Sequence, residues 1–305
     1  MYIDKQNGMF LALILFVMLY LGLTFAVPPD PIAMERYQIS PAVMRLLLLS
    51  ISLPLIGIWY TAFYGFTKLK NYVSLITQSP DGRAYRHLAN GVAILGIGLP
   101  LSSVVSTGLN YIVRGAPDLA TTAVIIEKYL DVAVAVAAFT LIHKGARLLL
   151  KLHDQKPKPL NRALLVGALL LFGGMFVYLV LKNSATTLPA QTGYRLPHWL
   201  LFTTIILPYL YVWMIGSLAA YYIASYAQSV KGVIYKQSLR LLAQGLGAVI
   251  LSSILLQYFK AIRTVLLALD LSTLLGIVYL LLLAIATGYV LIASGAKRLQ
   301  KLEEV

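Results

Sequence analysis

Cysteine is absent from the chain. That excludes disulfides, thiolate catalysis, cysteine-ligated zinc and iron–sulfur clusters, and it leaves the redox character of the compartment unmarked. Histidine is nearly as scarce. His87, His143, His153 and His198 are scattered without metal-ligand spacing and without a bis-histidine haem pair, so neither a metal nor a cofactor is expected. Charged residues make up 12% of the chain, about half the roughly 25% of an ordinary soluble domain. Also missing are a Ser-His-Asp order, paired catalytic glutamates, a zincin helix motif, a Walker loop and a dinucleotide fingerprint.

What fills the chain instead is apolar: 59% hydrophobic residues and a mean hydropathy of +0.80. A soluble fold has no way to bury that much apolar surface. Apolar runs near 8–27, 41–65, 89–113, 121–144, 162–182, 197–225, 239–263 and 271–294 each reach the roughly 20 residues that cross a bilayer. The sequence therefore predicts an all-α, polytopic integral membrane protein with eight transmembrane helices. The first run follows Lys5 and carries Thr24, Phe25 and Ala26 near its end, a loose likeness to a signal peptide, but it is longer than the usual apolar core of one.

The basic residues orient these spans. Lys5, then Lys68, Lys70, Arg83 and Arg86, then Lys144, Arg147, Lys151, Lys156, Lys158 and Arg162, then Lys231, Lys236 and Arg240, then Lys297, Arg298 and Lys301 fall before span one and after spans two, four, six and eight. The opposite loops hold few, namely Arg36, Arg114, Lys182 and Arg195. Short basic loops stay on the cytoplasmic side, so a cell-membrane location with both termini cytoplasmic is expected. The net charge of +14 then answers to anionic lipid headgroups at those loops. Nucleic acid is not expected as a partner, because no loop is long enough for a folded module with aromatics between its bases.

The chain also repeats itself. Leu46, Leu47, Ile51, Leu53, Pro54 and Trp59 recur without a gap as Leu200, Leu201, Ile205, Leu207, Pro208 and Trp213, an offset of 154 residues. At the same offset Tyr72 pairs with Tyr226, Arg86 with Arg240 and Gly91 with Gly245, and the closing segments from Gly145 and Gly295 align at 150. Residues 1–154 and 155–305 thus read as two tandem four-helix repeats in one membrane domain. An even number of spans per unit makes the repeats parallel, related by a pseudo-twofold axis along the membrane normal. Gln155, Lys156, Pro157, Lys158 and Pro159 form a stiff linker between them. Pro54 and Pro208 lie inside spans, where each removes a backbone hydrogen bond; they are hinge candidates, or packing kinks inherited by both units.

Shared residues mostly report shared architecture, so the site is sought where the units differ. Arg45 faces Trp199 in the alignment, and Glu127, Lys128 and Asp131 face Ile277, Val278 and Leu281. Glu127 and Asp131 are four residues apart and share a helix face. At 1.5 Å per residue Asp131 lies about 13–15 Å below the outer start of span four, close to the bilayer midplane. A carboxylate there costs about 2.5–3.5 kcal/mol on insertion scales, so it faces the protein interior and finds a partner. Arg45, Glu127, Asp131 and Lys260 are accordingly the candidate ligand- or ion-binding residues of an outward-open polar pocket in the first unit. The competing account is an ion pair that only locks helix two to helix four. Lys260 with Asp131 as counter-ion also admits a retinal Schiff base, which fits poorly with eight spans and a lysine near the membrane surface.

Three function classes follow. A channel or transporter for a small solute or ion fits the duplication, the prolines and the one-sided charges. The alternative is a membrane sensor or assembly subunit that signals through its C-terminal helix, where Leu299 and Leu302 lie three residues apart, or that joins a homo-oligomer or a partner protein. An intramembrane enzyme ranks third, since its candidate acids come without a nucleophile or a metal set.

Overall fold

A computed structural model describes residues 5–26, 34–35, 38–115, 120–154, 207–229, 233–261 and 271–304, with scattered positions between 163 and 203. The described residues carry seven long helices: α1 (Lys5–Ala26), α2 (Pro41–Leu75), α3 (Pro80–Gly115), α4 (Ala120–Leu152), α5 (Leu207–Ser229), α6 (Val233–Ala261) and α7 (Leu271–Glu303). The protein is all-helical, and five of these helices are long and apolar enough to cross a membrane. The span expected at 162–182, the linker at 155–159, Trp199 and the start of the run at 197–225 lie wholly or largely outside the described residues.

Local chemistry sets the helix ends. Ser40 caps α2, its hydroxyl accepting from the Val43 amide at 3.3 Å, and Pro41 occupies the first helical position, where no donor is lost. Ser79 does the same for α3 by accepting from the Gly82 amide at 3.1 Å, and Asp81 lies in the first turn, at the positive end of the helix dipole. At the far end of α4 the chain turns at Asp154, whose φ of 48° is left-handed, with Lys151 in the last helical turn. With 35, 36, 33 and 33 residues, helices α2, α3, α4 and α7 are about 50 Å long, against a hydrocarbon layer of about 30 Å. Each is therefore longer than such a layer is thick.

Six of the helices close into a ring. α2 packs on α3, α3 on α4, α4 on α5, α5 on α6, α6 on α7, and α7 returns to α2, while α1 lies outside against α2 and α3. The closest approaches are made where side chains are smallest. A Cβ added at Gly91 of α3 would stand 2.8 Å from the Ala138 carbonyl oxygen of α4, and one added at Gly245 of α6 would stand 2.5 Å from the Gly288 carbonyl oxygen of α7. Backbone meets backbone at both places, which is how helices gain packing in a solvent as apolar as their own side chains. Gly288 is buried at the second of these contacts and Gly216 beneath the Ile250 and Phe139 side chains, whereas Ala133 and Ala137 face outward.

The outer surface is apolar: Leu53, Leu280 and Leu283 are 70%, 68% and 67% exposed. In water, patches of this kind are a liability; against acyl chains they are the expected surface. The large aromatics turn the other way. Trp59, Trp213 and Tyr209 are buried in the helical core. Tyr211 remains exposed. Basic residues gather at one end of the ring, from Lys68 and Lys70 at the close of α2 and Arg83 and Arg86 at the opening of α3 to Lys144, Lys236, Lys297 and their neighbours.

Candidate functional site

Six buried side chains with polar groups share a level, while the buried Ser225 and Ser238 lie near the basic end. Ser52, Ser102, Asp131, Tyr209, Ser252 and Ser253 are all buried. Counted from the basic end of its own helix at 1.5 Å per residue, each lies about 30 to 35 Å up the bundle. Every helix of the ring except α7 supplies one of them. The position at that height on α7 is Leu281, also buried, and two residues before it the Tyr279 hydroxyl donates to the Ser50 hydroxyl of α2. None of Ser52, Ser102, Asp131 and Tyr209 lacks a partner. The Ser253 hydroxyl, by contrast, finds no hydrogen-bond acceptor or donor among the described residues. A buried polar group without a protein partner is costly and calls for water or a ligand.

Among the described residues Asp131 is the one charged residue in this layer. It sits in α4 at 6% exposure, next to the buried Val132. Burial of that degree answers the expectation that a carboxylate in an apolar run turns inward. Arg45 behaves differently. It lies in the second turn of α2 and is exposed, about 10 Å nearer the non-basic helix ends than Asp131 when both are counted from their own helix starts. α2 and α4 both flank α3 and do not pack on each other as neighbours. Arg45 forms no ion pair among the described residues. The side chains of Glu127, Lys128 and Lys260 lie outside the described residues, though their backbones run within α4 and α6.

Pro54 sits inside α2 without ending it. Its missing amide frees the carbonyl of Ser50, four residues back, and that is the residue whose hydroxyl receives the Tyr279 bond and in turn donates to the Leu47 carbonyl at 2.7 Å. Polar atoms from a neighbouring helix thus gather at the break in α2. Beside it an apolar cleft of about 530 Å³ is lined by Pro54, Gly57, Tyr279, Leu280, Leu283 and neighbours; with no charge in its wall it is unsuited to a polar solute. Pro208 falls in the first turn of α5 as described.

A second polar cluster occupies the basic end. His153, the last residue before the turn at Asp154, places Nε2 3.2 and 3.3 Å from the two carboxylate oxygens of Asp81 and 3.0 Å from the Tyr226 hydroxyl. Across the ring the Tyr72 and Tyr235 hydroxyls meet at 3.3 Å, and the Tyr72 ring stands edge-on to Tyr85 at 5.1 Å. Burial, followed by the neighbouring Tyr235, Tyr226 and Tyr72, holds the Tyr85 phenol well above its ordinary value, so it stays protonated. Burial likewise holds His87 below its ordinary value, with Lys144, Arg83 and Arg86 adding to the effect. A depressed imidazole favours the fold above its unfolded value of about 6.5 and costs stability as pH falls through it. Nothing in the sequence singled out His153, because its partners lie 72 and 73 residues away and meet it only through the ring.

Among the described residues no group of three or more histidines, aspartates and glutamates is arranged to hold a metal ion. Compared with protein-family models, with curated proteins and with solved structures, the chain matches none.

Proposed function

We propose that the chain is a channel or transporter for a small solute or ion in the cell membrane, with its polar pathway at the level of Asp131. The observation that carries this reading is the layer of buried polar side chains, one or more from five of the six ring helices, at a common height inside a bundle that is apolar outside. A bundle that only had to span a bilayer would gain nothing from a carboxylate there, given its insertion cost of about 2.5–3.5 kcal/mol. Intramembrane acids on bundle interiors mark solute and ion routes. Arg45, Glu127 and Lys260 remain the proposed outer charges of that route.

The reading includes two tandem parallel repeats of four spans, eight in all, about a pseudo-twofold axis. Its support is the pairing of contacts. Gly91 abuts Ala138 and Ile142 on α4, and Gly245 abuts Gly288 and Ile292 on α7; Gly145 abuts Ala84 and Leu88, and Gly295 abuts Ser238 and Leu242. Each second set follows the first by 154 or 150 residues, the offsets of the sequence repeat. The basic end is assigned to the cytoplasm, with both termini, and its lysines and arginines to anionic headgroups. The sensor reading gains no support from α7, since Leu299 is buried in the core and only Leu302 of the pair is exposed.

Reconstitution tests the proposal. Purified protein in planar bilayers or liposomes is expected to conduct ions or to admit a small polar solute above the rate of empty membranes. Currents and fluxes indistinguishable from protein-free membranes across a panel of inorganic ions, amino acids and sugars would refute it.

A further inference from the structure

We propose that the first unit alone carries a phospholipid site on the outer wall of the ring near its basic end, where Arg83, Arg86 and Lys144 take an anionic phosphate headgroup and a furrow along α4 takes an acyl chain. The site rests on the assignment of the basic end to headgroup depth, narrows that general attraction to one place, and does not depend on what, if anything, crosses the ring.

The cations converge from two helices. Arg83, Arg86 and His87 are spaced three and four residues apart and share a side of α3. Lys144 enters from α4 next to Gly145, which abuts Ala84 and Leu88 of α3. Arg83, Arg86 and Lys144 are exposed, His87 is half-buried, and the three cations all bear electrostatically on its ring. None of the three forms an ion pair among the described residues, and the carboxylate of the first turn of α3, Asp81, is engaged by His153. Like charges held together without a counter-ion repel one another, a cost that a bound anion removes. Two guanidinium forks and one ammonium suit the oxygens of a phosphate.

The second unit lacks this arrangement. At the offset of 154 Gln237 and Leu241 stand in place of Arg83 and His87, and at 150 Ser294 stands in place of Lys144, while Arg240 keeps the place of Arg86. The wall beside the cations differs as well. Ala133, Ala137 and Thr140 are exposed on α4, in line with Lys144 at steps of three and four residues, where α7 presents Leu283, Thr287 and Val290. The smaller side chains leave a furrow that leads from the cations along the apolar wall. Depth favours a lipid over a dissolved phosphate. From Pro80 to Arg86 α3 climbs about 9 Å, and from Leu152 back to Lys144 α4 climbs about 12 Å. The exposed wall farther in is apolar, with Ile97 on α3. The cations thus stand where the charged end of the ring gives way to that wall, as headgroup does to acyl chain.

Native mass spectrometry of the full chain in nonionic detergent counts the lipids bound to it. One molecule of palmitoyl-oleoyl phosphatidic acid is expected to bind at a concentration at which phosphatidylcholine of the same chains leaves the protein bare. Arg83→Gln with Lys144→Ser, which installs the residues of the second unit at exposed positions, is expected to weaken that binding at least about fivefold. Lys297→Gln with Lys301→Ser removes as much charge from exposed positions of α7, across the ring, and is expected to weaken it less than about twofold, because distant charges are screened. Ala137→Leu keeps every cation, fills the furrow and is expected to weaken binding about threefold or more, the worth of roughly one acyl methylene. Equal weakening by the two double variants would overturn the site and leave the general attraction of the basic end to headgroups in place. Phosphatidic acid bound no more tightly than phosphatidylcholine, or full binding by Ala137→Leu, would overturn it too. Displacement of the lipid by an equal concentration of glycerol phosphate would show a site for free phosphate instead. None of these outcomes requires transport, so the lipid site and the transport reading fail separately.

Discussion

Asp131→Asn is expected to lower flux through the reconstituted protein by at least about tenfold, a barrier change of about 1.4 kcal/mol, while the folded protein becomes no less stable. The asparagine keeps the size and most of the hydrogen-bonding capacity of the carboxylate and loses its charge. Asp131 is buried within an apolar helix, and a neutral amide is far easier to place there than an anion. If the carboxylate belongs to a route for solute or ions, its charge is retained at a cost for what it does, and removing it relieves the cost and stops the function. The structural account predicts the reverse. Breaking a buried ion pair by neutralising one partner leaves the other uncompensated and costs about 3–5 kcal/mol, and flux then falls only as folded protein is lost. Thermal unfolding in detergent, read beside liposome flux on the same preparation, separates the two. A lowered melting temperature with flux per folded molecule unchanged would end the functional role of Asp131.

Gly245→Leu is expected to prevent folding, or to cost about 3 kcal/mol or more, at the upper end of overpacking penalties. The leucine Cβ alone would stand 2.5 Å from the Gly288 carbonyl oxygen and 2.8 Å from the Ile292 backbone nitrogen. Neither is the end of a flexible side chain, so relief requires α6 and α7 to part along an extensive contact. Gly247, two residues on, provides the comparison. A Cβ there meets nothing within 4 Å, and Gly247→Leu is expected to fold as well as the natural chain, aided slightly by the higher helix propensity of leucine. The monodisperse fraction of each variant on size-exclusion chromatography in mild detergent reads the difference. Equal recovery of the two variants would contradict the close approach.

Height along the helices was legible in the sequence, and direction around them was not. Apolar runs located the described helices but not their basic ends, since α2, α3, α4 and α7 run eight to ten residues past them there, and the clustering of Lys144, Arg147, Lys236 and Lys297 foretold a basic end. Asp131 announced its burial because a carboxylate in an apolar run has no tolerable place against lipid. In a soluble helix the polar face tells which side is out. Here both sides are apolar, so the pattern does not tell that Trp213 and Tyr209 are core while Ala133 and Ala137 point outward. The same ambiguity set Arg45 opposite Asp131 on depth alone, where the ring places α3 between their helices. The cluster of Asp81, His153 and Tyr226 was invisible for a related reason: three residues on three helices meet only once the order of packing is known.

Aqueous accessibility of the polar layer tests the central claim most directly. In the cysteine-free chain, Ser102→Cys and Ser252→Cys each place one thiol within the layer, and Leu280→Cys places one on the lipid-facing surface. If the layer is part of a polar route, a charged, membrane-impermeant thiol reagent is expected to modify both serine-site thiols in intact proteoliposomes and to leave the Leu280 site untouched. Protection of both serine-site thiols to the same degree as the Leu280 site would show a dry bundle and contradict the account.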